Sequence, residues 1–381
     1  MPSVIFAVGV PIPGEGMGNH AYQLIAGLHR HQMLRRAHVM RYNGQDAFAP
    51  QVKTAYWTER VAYRLARYLR EDQYVLRDNL FDFSVSRQVR NADIFYGWTH
   101  HALYSLRAAR RRGLTTILER ANAHPLTVTR LLADEYKRRG ATGPVYHPRI
   151  LQKHLRELET ADFIAVTSQF TKASLLEHGI AEDRILLTPL GVDLARFVPA
   201  NAPNDGRFRV LYVGQLRLRK GVQYLLEAWD RVRLDNAELL LVGDVVDEFK
   251  EILHNALRQH ANITVVGHAE DPARLYQSAS VCVLPTLEDG FGLVVLEAMA
   301  CGAPVILTEN TGAKDCVRRD IDGFILPPYQ VEALAETFAF CARNRDQLAQ
   351  MGRQARRQAE QFSWERYQDT LAAHVTRLSH L

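Results

Sequence analysis

Short apolar runs ending on glycine or proline recur along this chain, and most are followed by a stretch with apolar residues at helical spacing. The first, VIFAVGV at 4–10, stops at Pro11 and Pro13, and Leu24, Ile25 and Leu28 then mark the buried face of a helix. Further strand-like runs lie at 92–98 (ADIFYGW), 114–118 (LTTIL), 163–167, 209–214, 239–244 (LLLVGD) and 263–269 (ITVVGHA), with another closing at Leu284. Polar loops and helices separate them, and that alternation predicts an α/β protein with parallel strands. At 56–70 (YWTERVAYRLARYLR) helical geometry sets Trp57, Val61, Leu65 and Tyr68 on one face and Arg60, Arg67 and Arg70 on the other. The apolar residues suit either packing on their own sheet or an interfacial position.

With 381 residues the chain is long for one domain and comfortable for two. The stretch 198–207 (VPANAPNDGR) has a linker's composition and marks the boundary. No apolar run reaches the ~18 residues of a membrane span, and VIFAVGV follows no basic leader, so it reads as a buried first strand and the protein as cytoplasmic. Cys282, Cys301, Cys316 and Cys341 have no close pair and no histidine at metal spacing, which predicts reduced, mostly buried thiols. Residues 1–150 hold 22 Lys and Arg against 11 Asp and Glu, whereas the remainder is mildly acidic. A basic half attracts nucleic acid, anionic lipid or an acidic acceptor alike, and composition does not choose among them.

The most informative stretch is 284–306 (LPTLEDGFGLVVLEAMACGAPVI), where a strand end, a polar glycine turn and a helix opening follow one another. Backbone N–H groups at such a helix start favour a phosphate or diphosphate. Asp289 and Glu297 have seven residues between them, and the helical path from Phe291 to Glu297 rises about 9 Å. That separation suits a ligand with hydroxyls at both ends and a diphosphate between them, the layout of a nucleotide sugar. An ordinary turn before a helix, with Glu297 merely exposed, fits the same spacing.

The segment resembles the signature of the retaining glycosyltransferases of family four (glycosyl transferases group 1): Glu297, Ala298, Met299, Ala300, Gly302, Pro304 and Val305 match, with Asp289 where that family carries a glutamate. The resemblance implies the GT-B fold, two facing Rossmann-like domains with parallel sheets. The N-terminal acceptor-binding domain would span 1–198, with a C-terminal helix at 363–381 returning to brace it, and the donor-binding domain 207–362. Gly16 and His20 fall on the glycine and histidine of the family's first loop, whose glycine spacing is not the dinucleotide fingerprint. His124, in ERANAHP, corresponds to a histidine between donor and acceptor. In the loop 214–221 Lys220 matches the lysine that meets the donor diphosphate, while Gln215 stands where an arginine is expected and Arg219 or Arg217 is left to supply that charge.

The catalytic residues implied are thus Lys220, Arg219, Asp289 and His124. Gly16, Arg217, Gly267, His268, Gly290, Phe291, Gly292, Leu293 and Glu297 are the donor-binding set, with Gly267 and His268 against the base and Glu297 on the ribose. No metal is implied; Asp320 and Asp322 imitate an Asp-x-Asp motif but precede Gly323 as a polar turn. No cofactor is expected beyond the nucleotide diphosphate sugar as co-substrate. The expected partners are that donor, a glycan or lipid-linked acceptor and an anionic membrane surface on the cytoplasmic side, with no nucleic acid. A sugar-nucleotide-binding pseudoenzyme, and a GT-B nucleotide-sugar epimerase or phosphorylase, are the alternatives.

Overall fold

The structure is a computed structural model describing residues 1–69, 73–140, 145–199, 206–269 and 271–379, without the side chains of 67–69. The first domain is built on a seven-stranded sheet: β1 (Val4–Ile12), β2 (Leu34–Tyr42), β3 (Val52–Thr54), β4 (Ile94–Trp98), β5 (Thr115–Arg120), β6 (Phe163–Val166) and β7 (Ile185–Leu187), in the order β3-β2-β1-β4-β5-β6-β7. The second holds β8 (Phe208–Val213), β9 (Ala237–Val242), β10 (Ile263–Gly267), β11 (Val281–Leu284), β12 (Val305–Thr308) and β13 (Gly323–Leu326), in the order β10-β9-β8-β11-β12-β13. Every named pairing is parallel. Helices cover both faces of such sheets, which is why β4 and β11 are apolar throughout rather than alternating. Winding reverses between β1 and β4 and again between β8 and β11, and ligands of open α/β sheets bind beyond the carboxyl ends at those points.

The helix Trp364–Leu378 lies against the helix Met17–Arg30 of the first domain. Tyr367 hydroxyl meets His20 Nε2 at 2.9 Å, and Gln368 fills the space a side chain on Gly27 would need. Residues 200–205 of the expected linker, and Arg70, lie outside the described residues, as do the side chains of Arg67 and Tyr68.

The hydrophobic pattern foretells none of β2, β3, β7, β12 and β13. In β2, LRRAHVMRY, the basic residues mask the buried Ala37, Val39 and Met40. The helix Tyr56–Leu69 turns Thr58 and Ala62 inward, so Trp57, Val61 and Leu65 face solvent rather than the sheet. No helix among the described residues is long and apolar enough to cross a membrane. All four cysteines are buried and unpaired.

Candidate active site

The loop after β8 is pressed against the loop after β11. Gly221 adopts φ 71°, and a Cβ there would lie 1.8 Å from the Pro285 carbonyl, so only glycine admits this approach. The contact delivers Arg219 and Lys220 to the two acids that follow β11. Arg219 Nη1 donates to Glu288 Oε2 at 2.7 Å, and Lys220 Nζ donates to Asp289 Oδ2. Burial favours a neutral Asp289, but Lys220 and Arg219 together outweigh it and hold the carboxyl below its usual range. Burial in turn lowers the lysine, because shedding a charge is easier than keeping it out of water.

Glu288 and Asp289 face different neighbours. Glu288 Oε1 accepts the Ala123 amide at 3.1 Å, and Asn122 Nδ2 lies 3.4 Å from both carboxylate oxygens, so Glu288 fastens the second domain to the first. Gly290 does the same by backbone: a Cβ would stand 1.7 Å from the Ala121 carbonyl, and the Gly290 carbonyl accepts Ser168 Oγ at 2.6 Å. Gly290, expected in the donor-binding set, thus also makes a contact between the domains. Gly292, with φ 89°, opens the helix Leu293–Ala300 with no side-chain cap. Phe291 is buried and Leu293 half-buried behind that opening.

Glu297 takes the Tyr276 hydroxyl at 2.8 Å on Oε2; burial raises its pKa despite that bond. Arg196 and Glu15 both bear on its charge, and Glu15 also stands 3.8 Å from His268. Glu15 belongs to the glycine loop of the first domain, so that loop comes close to His268 of the second. A Cβ on Gly16 would meet nothing within 4 Å, and the helix it opens has no side-chain cap. Gln215 is exposed, its carbonyl taking the Tyr212 hydroxyl at 2.8 Å.

Beyond the carboxyl ends of β4 and β5 lies a cavity of about 220 Å³ lined by Arg120, Asn122, His154, Arg217 and Arg219 among others. His124 is not among its lining. Its ring stacks on His178 at a centroid distance of 3.9 Å, Nδ1 caps the helix Pro125–Arg138, and burial pushes its pKa down to about 3. His20 is likewise buried in its own domain. Asp322 is wholly buried on Arg318, and Asp320 sits at φ 62° in the turn before Gly323, as a polar turn requires. Among the described residues no group of three or more His, Cys, Asp or Glu is arranged to hold a metal ion. The sequence analysis singled out His124 in ERANAHP but gave no role to Arg120 and Asn122 of the same stretch, to His154 or to Glu288.

Residues 195–358 match the family described as glycosyl transferases group 1. Among curated relatives, the D-inositol 3-phosphate glycosyltransferase of Pseudarthrobacter chlorophenolicus is 29% identical over 223 residues, 54% of this chain and 53% of its own length. The capsular polysaccharide biosynthesis glycosyltransferase CapM of Staphylococcus aureus is 32% identical over 171 residues, 42% of this chain and 45% of its own. The chain thus spans about half the length of the curated relatives it matches. Solved structures are similar almost end to end. Sucrose-phosphate synthase from Thermosynechococcus elongatus has a TM-score of 0.73 at 20% identity, covering 99% of both chains. Anabaena HepE in complex with UDP and glucose has a TM-score of 0.73 at 16% identity, covering 99% of this chain and 100% of its own. The likeness is one of fold, and the fold is GT-B.

Proposed function

We propose, from the premise that residues 195–358 belong with the glycosyl transferases group 1, that this protein moves a sugar from a nucleotide diphosphate sugar to an acceptor hydroxyl, with retention of configuration and without a metal. The observation that carries the reading is the Lys220–Asp289 pair. It joins a cation suited to the leaving diphosphate to a carboxylate suited to the hydroxyls of the transferred sugar, so the two flank the bond that breaks.

Negative charge develops on the departing diphosphate. Donors already fixed around it, namely Lys220, Arg219 and the uncapped helix start at Gly292, stabilise that charge without reorganising. Arg219 also supplies the charge that Gln215 lacks. Glu297, with one oxygen held by Tyr276 and the other left over, holds ribose hydroxyls, and Gly267 and His268 border the base. The diphosphate oxygen takes the acceptor proton on the same face of the sugar, consistent with a site where His124 serves as a helix cap. The protein acts on the cytoplasmic side of a membrane, on a glycan or lipid-linked acceptor.

The test is a thermal-shift panel of nucleotide sugars, followed by assay of nucleoside diphosphate release. Uridine donors come first, because Anabaena HepE is seen with UDP and glucose. A panel in which nothing stabilises the chain would end this reading. Donor binding without nucleoside diphosphate release would leave a binding protein, and turnover dependent on inorganic phosphate a phosphorylase.

A further inference from the structure

The cavity beyond β4 and β5 borders the donor site through Arg217 and Arg219 and is otherwise lined by the first domain. Lys220, Asp289 and Glu297 do not line it, and neither does any other carboxylate, whereas three arginines and two histidines do. Arg219 is paired with Glu288. Arg217 reaches Glu248 only at 3.8 Å, and its buried Nε makes no hydrogen bond. Arg120 is 2% exposed, and its hydrogen bonds go to a single carbonyl, that of Ala123, through Nε at 3.2 Å and Nη2 at 2.5 Å. No carboxylate among the described residues lies within ion-pair distance of it. A guanidinium out of water without a counter-charge is costly, and proteins ordinarily pair it.

His154 adds a second, independent deficit. It is 2% exposed, yet neither ring nitrogen has a partner. His100 and Tyr146 hold the ring edge-on, at centroid distances of 4.5 and 5.3 Å. Buried polar groups are nearly always satisfied, and here a guanidinium lacks a counter-charge while the protonated ring nitrogen of His154 lacks an acceptor. The cavity is far larger than the ~30 Å³ of one water, so it has room for more than solvent bridging.

We propose that this cavity binds an anionic oxygen group, phosphate or carboxylate, carried by the acceptor. Arg120 and Arg217 supply its counter-charge and His154 a hydrogen bond. Burial keeps the His154 ring neutral, so one ring nitrogen carries a proton to donate. The word acceptor rests on the glycosyltransferase reading; the anion rests on the chemistry of the cavity itself.

The experiment follows the histidine side-chain nitrogens of the full chain by NMR, with the His154 signals assigned through His154→Gln. Inorganic phosphate and acetate are titrated separately, each with and without saturating UDP. The expected result is a saturable shift of the His154 signals with at least one anion, retained when UDP is present. Arg120→Gln and the less buried Arg217→Gln should each weaken that anion about tenfold, the worth of a lost charged hydrogen bond. A wild-type circular dichroism spectrum and a cooperative thermal transition confirm that each variant is folded. No saturable shift with either anion, or wild-type affinity in both variants, overturns the proposal. Displacement of the anion by UDP overturns it too, since the cavity would then belong to the donor. A wild-type chain that bound no nucleotide but kept the His154 titration would count against the proposed function and leave the anion site standing.

Discussion

The Glu288 carboxylate accepts the backbone amide of Ala123 at 3.1 Å, across the boundary between the two domains. Adjacent acids therefore divide the work, Glu288 fastening the domains and Asp289 facing Lys220. Glu288→Ala leaves Arg219 without its carboxylate, and breaking a largely buried pair costs about 3 kcal/mol or more. Urea denaturation should show that loss, with a smaller one for Glu288→Gln, which still accepts the amide. Activity per folded molecule should fall further in Asp289→Ala than in Glu288→Gln. The reverse order would move the sugar-binding role to Glu288.

Gly290→Ala should abolish the proposed sugar transfer without unfolding either domain. The added Cβ would collide with the Ala121 carbonyl, and backbone on both sides leaves no flexible side chain to give way. The interface must open instead. Small-angle scattering should report a larger radius of gyration with an unchanged circular dichroism spectrum; an active variant of wild-type dimensions would show that the contact is dispensable.

The α/β class, most central strands and the donor loops were legible because parallel strands buried on both faces read as continuous apolar runs, and because Lys220, Asp289 and Glu297 sit in local motifs. What escaped depends on distant partners. Glu288 meets Ala123 across 165 residues, and nothing near Glu288 announces it. The deficits of Arg120 and His154 exist only once several strands have brought them to one cavity. His124 did carry a local signal. A His-Pro step opens the helix Pro125–Arg138 and another opens Pro148–Thr160, and in both the histidine Nδ1 accepts from the helix.

Glu119 should make the fold less stable at mildly alkaline pH. Burial pushes its carboxyl from 4.5 up to about 8, with the Tyr96 hydroxyl at 2.6 Å opposing the shift. Below 4.5 it is protonated whether folded or not; between 4.5 and 8 the unfolded chain releases the proton first, so stability drains as pH rises. His20 works the other way, since burial takes it from 6.5 down to about 3 and stability is lost as pH falls through that range. Between pH 6.5 and 8 Glu119 therefore acts without His20. Denaturation midpoints of Glu119→Gln should decline less across that window than those of the wild type. Parallel slopes would show that Glu119 is ionised in the folded protein.

Lys220→Ala should lower turnover far more than donor affinity, because charge on the leaving phosphate grows most in the transition state. Glu297→Ala should do the opposite and weaken donor binding by about 1.5 to 3 kcal/mol, the worth of a charged hydrogen bond. Retention predicts a product with the donor's anomeric configuration by NMR. Activity should also survive EDTA, and a complete loss restored by manganese or magnesium would show that the diphosphate is met by a metal rather than by Lys220 and Arg219.

The helix Tyr56–Leu69 should bring the protein to anionic membranes. Its small residues Thr58 and Ala62 pack inward, which leaves Trp57 52% exposed with Val61 and Leu65 beside it and the exposed Arg60 and Arg64 in the same turns. An apolar strip bordered by arginines is what an interfacial helix presents to a bilayer. Each basic residue near an anionic surface is worth about 1 kcal/mol, and burial of an indole adds to that, so attraction should be measurable at low salt and fade as screening rises. Co-sedimentation with anionic vesicles, and a blue shift in the emission of Trp57 against the Trp57→Phe background, are the expected signs. Arg60→Gln with Arg64→Gln should remove most of the salt-sensitive part, while Trp57→Ala should weaken binding at every salt concentration. Neutral vesicles should bind poorly. If anionic and neutral vesicles both fail at low salt, the strip has another use and the acceptor is met in solution.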